Sequence, residues 1–159
     1  MRCLVIRHAP AEPGQPDAER PLSPAGAVLL RQVRGPLQAL APDVGLIAHS
    51  PLRRARQTAA LLAEAFVAPT QETAALAPGA LDGLLPWVCG QSMPALAVVG
   101  HENDLSHWVC HMLTGDAGRF FQFECAAACL IEFRATPRAG TANLLWLLPP
   151  EHLTRMARR

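Results

Sequence analysis

The sequence predicts a three-layer α/β sandwich with a mainly parallel central sheet, on three observations. Apolar runs of strand length alternate with longer segments whose apolar residues recur at helical spacing, the pattern of parallel strands joined by crossover helices. Several of these runs are continuously apolar, as strands covered on both faces require. No repeat, low-complexity tract or second domain interrupts the 159 residues, so a single domain over 1–159 is expected.

The elements follow in order. Residues 3–7 form the first buried strand, and residues 9–22, with four prolines, form a surface loop. Ser23-Pro24 starts a helix, with serine as N-cap and proline in the first turn. Ala27, Leu30, Val33, Leu37 and Leu40 keep its apolar spacing, and Gly35-Pro36 predicts a kink or two successive helices. Val44–Ala48 reads as a second strand, after which Ser50-Pro51 repeats the helix-start signal. Leu52, Ala55, Ala59, Leu62, Ala63 and Phe66 make one stripe of the helix that follows. Residues 67–80 read as an irregular connection with a short strand near Glu72–Ala75, followed by a short helix over Leu81–Cys89. Ala95–Val99 is a third apolar run, and a helix from about Asp104 to Leu113 turns Leu105, Trp108, Val109 and Met112 inward. Ala127–Arg134 and Thr141–Leu148 read as two antiparallel strands across the Thr136–Gly140 turn.

Composition narrows the chemistry. The net charge is +1, so no broad field draws the chain to nucleic acid or to a membrane surface. No apolar stretch approaches membrane-spanning length, and the N-terminal run is too short and too charged for a signal peptide. The 14 basic residues are all arginine. Schiff-base and P-loop chemistry, which need lysine, are therefore excluded, and any anion site must use arginine or backbone amides. Five cysteines in apolar contexts read as reduced, buried thiols of a cytoplasmic protein.

Three strand ends carry chemistry. The first ends in Arg7-His8, the second leads through His49 to Ser50-Pro51-Leu52-Arg53-Arg54-Ala55, and the third ends in Gly100-His101-Glu102-Asn103. Parallel sheets bind ligands beyond the carboxyl ends of their strands, where helix N-termini also point. The fold therefore gathers two histidines, two or more arginines and a carboxylate on one rim. Arginine forks match phosphate oxygens, a neutral imidazole can attack phosphorus, and fixed cations stabilise the charge of phosphoryl transfer.

Leu4-Val5-Ile6-Arg7-His8-Ala9, Ser50-Pro51-Leu52-Arg53-Arg54-Ala55-Arg56-Gln57-Thr58-Ala59 and Val98-Val99-Gly100-His101-Glu102 resemble the histidine phosphatase superfamily in order and spacing. This family is also called phosphoglycerate mutase-like or RHG-motif. The short length and Glu19-Arg20-Pro21-Leu22-Ser23-Pro24-Ala25-Gly26 are most similar to its SixA-like branch, the phosphohistidine phosphatases. The resemblance implies a phosphoglycerate mutase-like fold and a metal-independent phosphatase without cofactor. His8 would be the nucleophile, and Arg7, Arg54 and His101 would hold the phosphate, with Arg20 reaching the same pocket. Ala9 replaces the RHG glycine, as is common in the SixA-like branch. Glu102 stands where some members carry their general acid, with Asp82 in reserve. The implied substrate is a phosphohistidine protein. The alternatives are a small sugar or nucleotide phosphate ester, or a non-catalytic phosphate-binding module.

Other marked residues have structural readings. Ser23 and Ser50 read as N-caps, because no base is paired with either in sequence. His107 and His111 have i, i+4 spacing but sit opposite the apolar stripe, which reads as a solvated face. Cys125 and Cys129 lack a second ligand pair, so no zinc site is expected. Arg53 and Arg56 read as surface charges, with Arg53 able to meet an acidic substrate.

Overall fold

The computed structural model describes residues 1–157. A six-stranded sheet has the order β3-β2-β4-β1-β5-β6. Its strands are β1 (Arg2–Arg7), β2 (Ile47–His49), β3 (Thr70–Glu72), β4 (Ala95–Gly100), β5 (Ala128–Phe133) and β6 (Ala142–Leu148). The first four run parallel and the last two antiparallel to their neighbours, as the sequence predicts. Helices α1 (Pro24–Leu40), α2 (Arg53–Phe66) and α5 (Pro150–Met156) cover one face, while α3 (Leu84–Cys89) and α4 (Asp104–Thr114) cover the other.

The strands are apolar throughout because they feed two cores. Leu4 and Ile6 of β1 join Leu30, Val33, Leu37 and Leu62 on one side. Cys3 and Val5 join Leu84, Val88, Trp108 and Met112 on the other. Alternate residues of a strand point to opposite faces, so continuous apolarity is what a sheet between two helical layers needs.

Several expected boundaries are corrected. Gly35-Pro36 does not divide α1, which runs unbroken to Leu40. Leu30, Val33 and Leu37 stay fully buried on one side of it, so packing across the Gly-Pro pair holds the last turn helical. The second strand is Ile47–His49 and not Val44–Ala48. The third is Thr70–Glu72, because Thr73 instead caps a 3-10 turn at Ala74–Leu76 through its side chain and the Ala75 amide. The expected helix over Leu81–Cys89 is a 3-10 turn at Leu81–Gly83 running into α3. Helix α5 has no counterpart in the sequence reading. It begins at the second residue of Pro149-Pro150 and is held to α1 through fully buried Leu153.

The start of α1 fixes the proline-rich loop. Ser23 caps the helix as expected, its hydroxyl accepting from the Gly26 amide at 3.0 Å. The Ser23 amide donates to the Pro10 carbonyl at 2.9 Å. Gly26 lies so close to that carbonyl that a Cβ there would stand 2.1 Å from its oxygen. An Ala11–Leu22 bridge and a bond from the Leu22 amide to Gln57 Oε1 of α2 at 2.8 Å close the loop against the body.

Helix propensity alone makes Gly26→Ala stabilising by about 1 kcal/mol. The contact with Pro10 reverses the sign, and a loss of about 1–3 kcal/mol is expected, the usual cost of overpacking. Denaturant unfolding of the two proteins measures it, and a stabilised variant contradicts this packing.

Candidate active site

Strand register brings the marked ends together. Arg7 of β1 pairs with Gly100 of β4, and His49 of β2 pairs with Val99. The His8 amide donates to the Gly100 carbonyl at 3.1 Å, and the Ser50 amide donates to the Val99 carbonyl at 3.1 Å. His8, His101 and Ser50 therefore stand side by side just past the carboxyl ends of adjacent strands. The ring centroids of His8 and His101 are 5.1 Å apart. A cleft of about 450 Å³ opens there, lined by Arg7, His8, Asp17, Arg20, Arg54, His101, Glu102 and Cys125 among others. Every expected site residue borders it. The reserve carboxylate Asp82 does not, and borders a separate cleft with His107, Trp108, His111 and Met112.

The His8 tautomer is set by its backbone. Nδ1 lies 2.8 Å from the Ala9 carbonyl, which can only accept, so Nδ1 carries the proton. Nε2 is left with its lone pair, which accepts from Arg54 Nε at 3.2 Å. Burial, followed by the positive charges of Arg54, Arg7 and Arg20, pushes the His8 pKa down to about 4 against a bond to Ala9 that raises it. The ring is neutral at pH 7, and a neutral imidazole with an unprotonated Nε2 is a competent nucleophile.

His101 is also neutral, its pKa lowered to about 3 by burial and then by His8 and Arg54. Its Nε2 shares a 2.7 Å hydrogen bond with Ser50 Oγ, and its buried Nδ1 has no partner among the described residues. Ser50 is thus not the N-cap expected of it. Helix α2 starts later, at Arg53, and the fully buried Ser50 hydroxyl is drawn to the Leu52 amide and to His101. The Ser–His pairing exists only in space, since the two lie on different strands' ends.

The arginines arrive from three directions. Arg54 sits in the first turn of α2 and is buried. Arg7 follows β1, and its Nη1 donates to the Phe123 carbonyl at 2.6 Å. Arg20 comes from the proline-rich loop, its Nε donating to the Glu12 carbonyl at 2.7 Å. Glu102 is half-buried at the wall, with Oε1 accepting from Ser106 Oγ at 2.6 Å and forming an ion pair with Arg119 Nη1 at 3.8 Å, and Oε2 has no partner among the described residues.

Sequence reasoning missed Asp17. Its Oδ2 accepts from Arg54 Nη2 at 3.0 Å, its Oδ1 from Arg20 Nη1 at 2.8 Å, and its carbonyl from Arg54 Nη1 at 2.8 Å. The one sequence signal was its place three residues before Arg20. His107 is exposed as expected, but with His111 it borders a cleft whose wall includes Trp108 and Met112.

Residues 3–94 match the family model of the histidine phosphatase superfamily (branch 1). The chain belongs to that superfamily. An uncharacterized protein of Picosynechococcus sp. is 36% identical over 138 residues, which cover 83% of this chain and 84% of that protein. Among solved structures, the protein histidine phosphatase SixA complexed with tungstate superposes with a TM-score of 0.81 at 20% identity, covering 96% of this chain and 99% of that one. The alpha-ribazole phosphatase of Shigella flexneri superposes at 0.70 with 16% identity, covering 94% and 97%. The phosphoglycerate mutase-like fold that the motifs imply is therefore the fold of this superfamily member. Among the described residues no helix is long and apolar enough to cross a membrane.

Two neutral histidines in this superfamily member have a measurable consequence. An unfolded chain protonates its histidines near the ordinary value of 6.5, whereas the folded chain delays until about 4 at His8 and about 3 at His101. The unfolded state binds more protons across that window, so stability is lost as the pH falls through it. Denaturant unfolding should show a plateau above about pH 7.5 and a loss on the order of a few kcal/mol by about pH 4.5. His8→Asn and His101→Asn should each flatten the profile; an unchanged slope in both would contradict the neutral rings.

Proposed function

We propose that the chain is a phosphohistidine phosphatase that passes the phosphoryl group through His8. The observation that carries this reading is the fixed tautomer of a neutral imidazole whose unprotonated Nε2 faces the arginines of the cleft, with Arg54 Nε on its lone pair. Nε2 attacks phosphorus, the bond from phosphorus to the leaving group breaks, and the leaving group takes a proton. Water then attacks phosphorus, the P–Nε2 bond breaks, inorganic phosphate leaves and His8 is restored. Arg7, Arg54, Arg20 and His101 hold the phosphoryl oxygens, and the arginines supply the fixed positive charge that the transition state needs. The unpartnered Nδ1 of His101 supports this assignment, because a bound oxygen would fill it.

Glu102 gives the leaving group its proton and takes one from the attacking water. Its support is the free Oε2 in the cleft wall. The expected partner is a phosphorylated protein, whose surface an open cleft can accept. The chain's five cysteines are all unpaired, which supports a reducing, cytoplasmic setting. A second reading, hydrolysis of a small sugar or nucleotide phosphate, is favoured by the cleft volume of about 450 Å³, which suits such an ester. Comparing kcat/KM for a phosphohistidine protein with that for a panel of small esters separates the two.

His8→Ala should lower kcat by about 10³-fold or more, the scale of losing a covalent nucleophile. Acid-labile, base-stable phosphate trapped on the wild-type protein should be absent from the variant. A variant that keeps full activity refutes the scheme, and a wild type that binds phosphate without turnover is a binding module.

Glu102→Gln should slow alkyl phosphates by about 10²–10⁴-fold, the usual contribution of a general acid. p-Nitrophenyl phosphate, whose leaving group needs no proton, should slow far less, with phosphohistidine at an intermediate or small loss. Equal losses across leaving groups of graded pKa would remove Glu102 from the acid role.

A further inference from the structure

Asp17 places a carboxylate among the cations that an incoming phosphoryl group must use. It bridges Arg54 and Arg20 with one oxygen to each, at 3.0 and 2.8 Å. Both Nη groups of Arg54 are committed to Asp17, one to its carboxylate and one to its carbonyl. The remaining Arg54 nitrogen, Nε, donates to the His8 Nε2 lone pair at 3.2 Å. Three of the five Arg54 N–H groups are therefore engaged in the resting cleft, and His8 Nε2 is covered. The Asp17 side chain is 52% exposed while His8 is only 8% exposed, so the carboxylate stands at the mouth and the imidazole on the floor.

We propose that Asp17 sets the charge selectivity of the site, competing with phosphate for Arg54 and Arg20 and favouring substrates whose leaving group is neutral or cationic. The inference rests on the phosphatase reading and deepens it by naming the substrate class. In an in-line displacement the leaving group departs away from His8, toward the mouth and Asp17. Arg7, Arg20 and Arg54 bring three positive charges, and a dianionic phosphoryl group together with Asp17 balances them. A further negative charge on the leaving group is then uncompensated and meets a carboxylate. The imidazole ring of phosphohistidine is cationic when its distal nitrogen is protonated and neutral once it departs, so it meets the same carboxylate without repulsion. Asp17 is ionised for this task, since hydrogen bonds from Arg20 and then Arg54 hold its pKa below the ordinary 3.8. The same ionisation makes it an unsuitable proton donor, so this role is separate from that of Glu102.

The test compares wild type with Asp17→Asn and Asp17→Ser on two aryl phosphates, one with a para trimethylammonium group and one with a para carboxylate. The wild-type preference for the cationic ester, read as a ratio of kcat/KM values, should shrink by about three- to tenfold in both variants, the scale of one partly screened charge. High salt should erode the wild-type preference but not what remains in the variants. Inorganic phosphate, titrated by calorimetry, should bind about three- to tenfold more tightly to the variants. An unchanged ratio overturns the proposal. Weaker phosphate binding in the variants also overturns it, because Asp17 would then serve only to hold the arginines in place. The calorimetric arm needs no turnover, so a chain without phosphatase activity fails the functional reading while the phosphate affinities still decide this one.

Discussion

The parallel pairing of β1 with β4, in the register Arg7 to Gly100, is the constraint on which the rest of the site depends. It sets the His8 amide against the Gly100 carbonyl and the two imidazoles 5.1 Å apart. The neighbouring register of β2 on β4 brings Ser50 level with His101. A slip of one residue would turn every side chain of β1 to the opposite face. Leu4 and Ile6 would exchange cores with Cys3 and Val5. Core packing thus holds the register, and the register places the histidines.

Gathering three arginines beside two histidines is electrostatically unfavourable, and the fold offsets it in two ways. Backbone carbonyls of Phe123, Glu12 and Asp17 accept from the guanidinium groups, so the cations are oriented before any substrate arrives. Burial keeps both imidazoles neutral, so they add no charge to the cluster. The Asp17 carboxylate supplies the remaining compensation. This arrangement orients dipoles and cations around the cleft, the preorganisation on which the proposed phosphoryl transfer would draw.

The loop between β1 and α1 links folding to this electrostatic balance. It leaves the sheet at His8, turns through Asp17 and Arg20, and is tied down where Ser23 and Gly26 meet the Pro10 carbonyl. A segment with four prolines and no periodicity reads as a surface connection. It is instead one wall of the cleft, held there by Gln57 from α2 as well as by its own ion pairs.

The sequence by itself determined the layered α/β class, the parallel centre of the sheet and the identity of the marked strand ends, because these rest on periodicity and on motifs of a few consecutive residues. His8, Arg7, Arg54, His101, Glu102 and Arg20 were all legible in that way, and all border one cleft. Elements whose stability comes from distant contacts were not. Helix α5 forms because Leu153 finds a place against α1, and β3 sits at Thr70–Glu72 because Thr73 caps the turn beyond it. The hydrogen bond between Ser50 and His101 spans 51 residues, and the bonds from Arg54 to Asp17 span 37. Only the tertiary structure decided which nitrogen of His8 lacks a proton, what occupies Arg54 at rest and that a loop carboxylate stands at the mouth. Each of these depends on short-range forces between groups far apart in the chain, and local spacing carries no record of them.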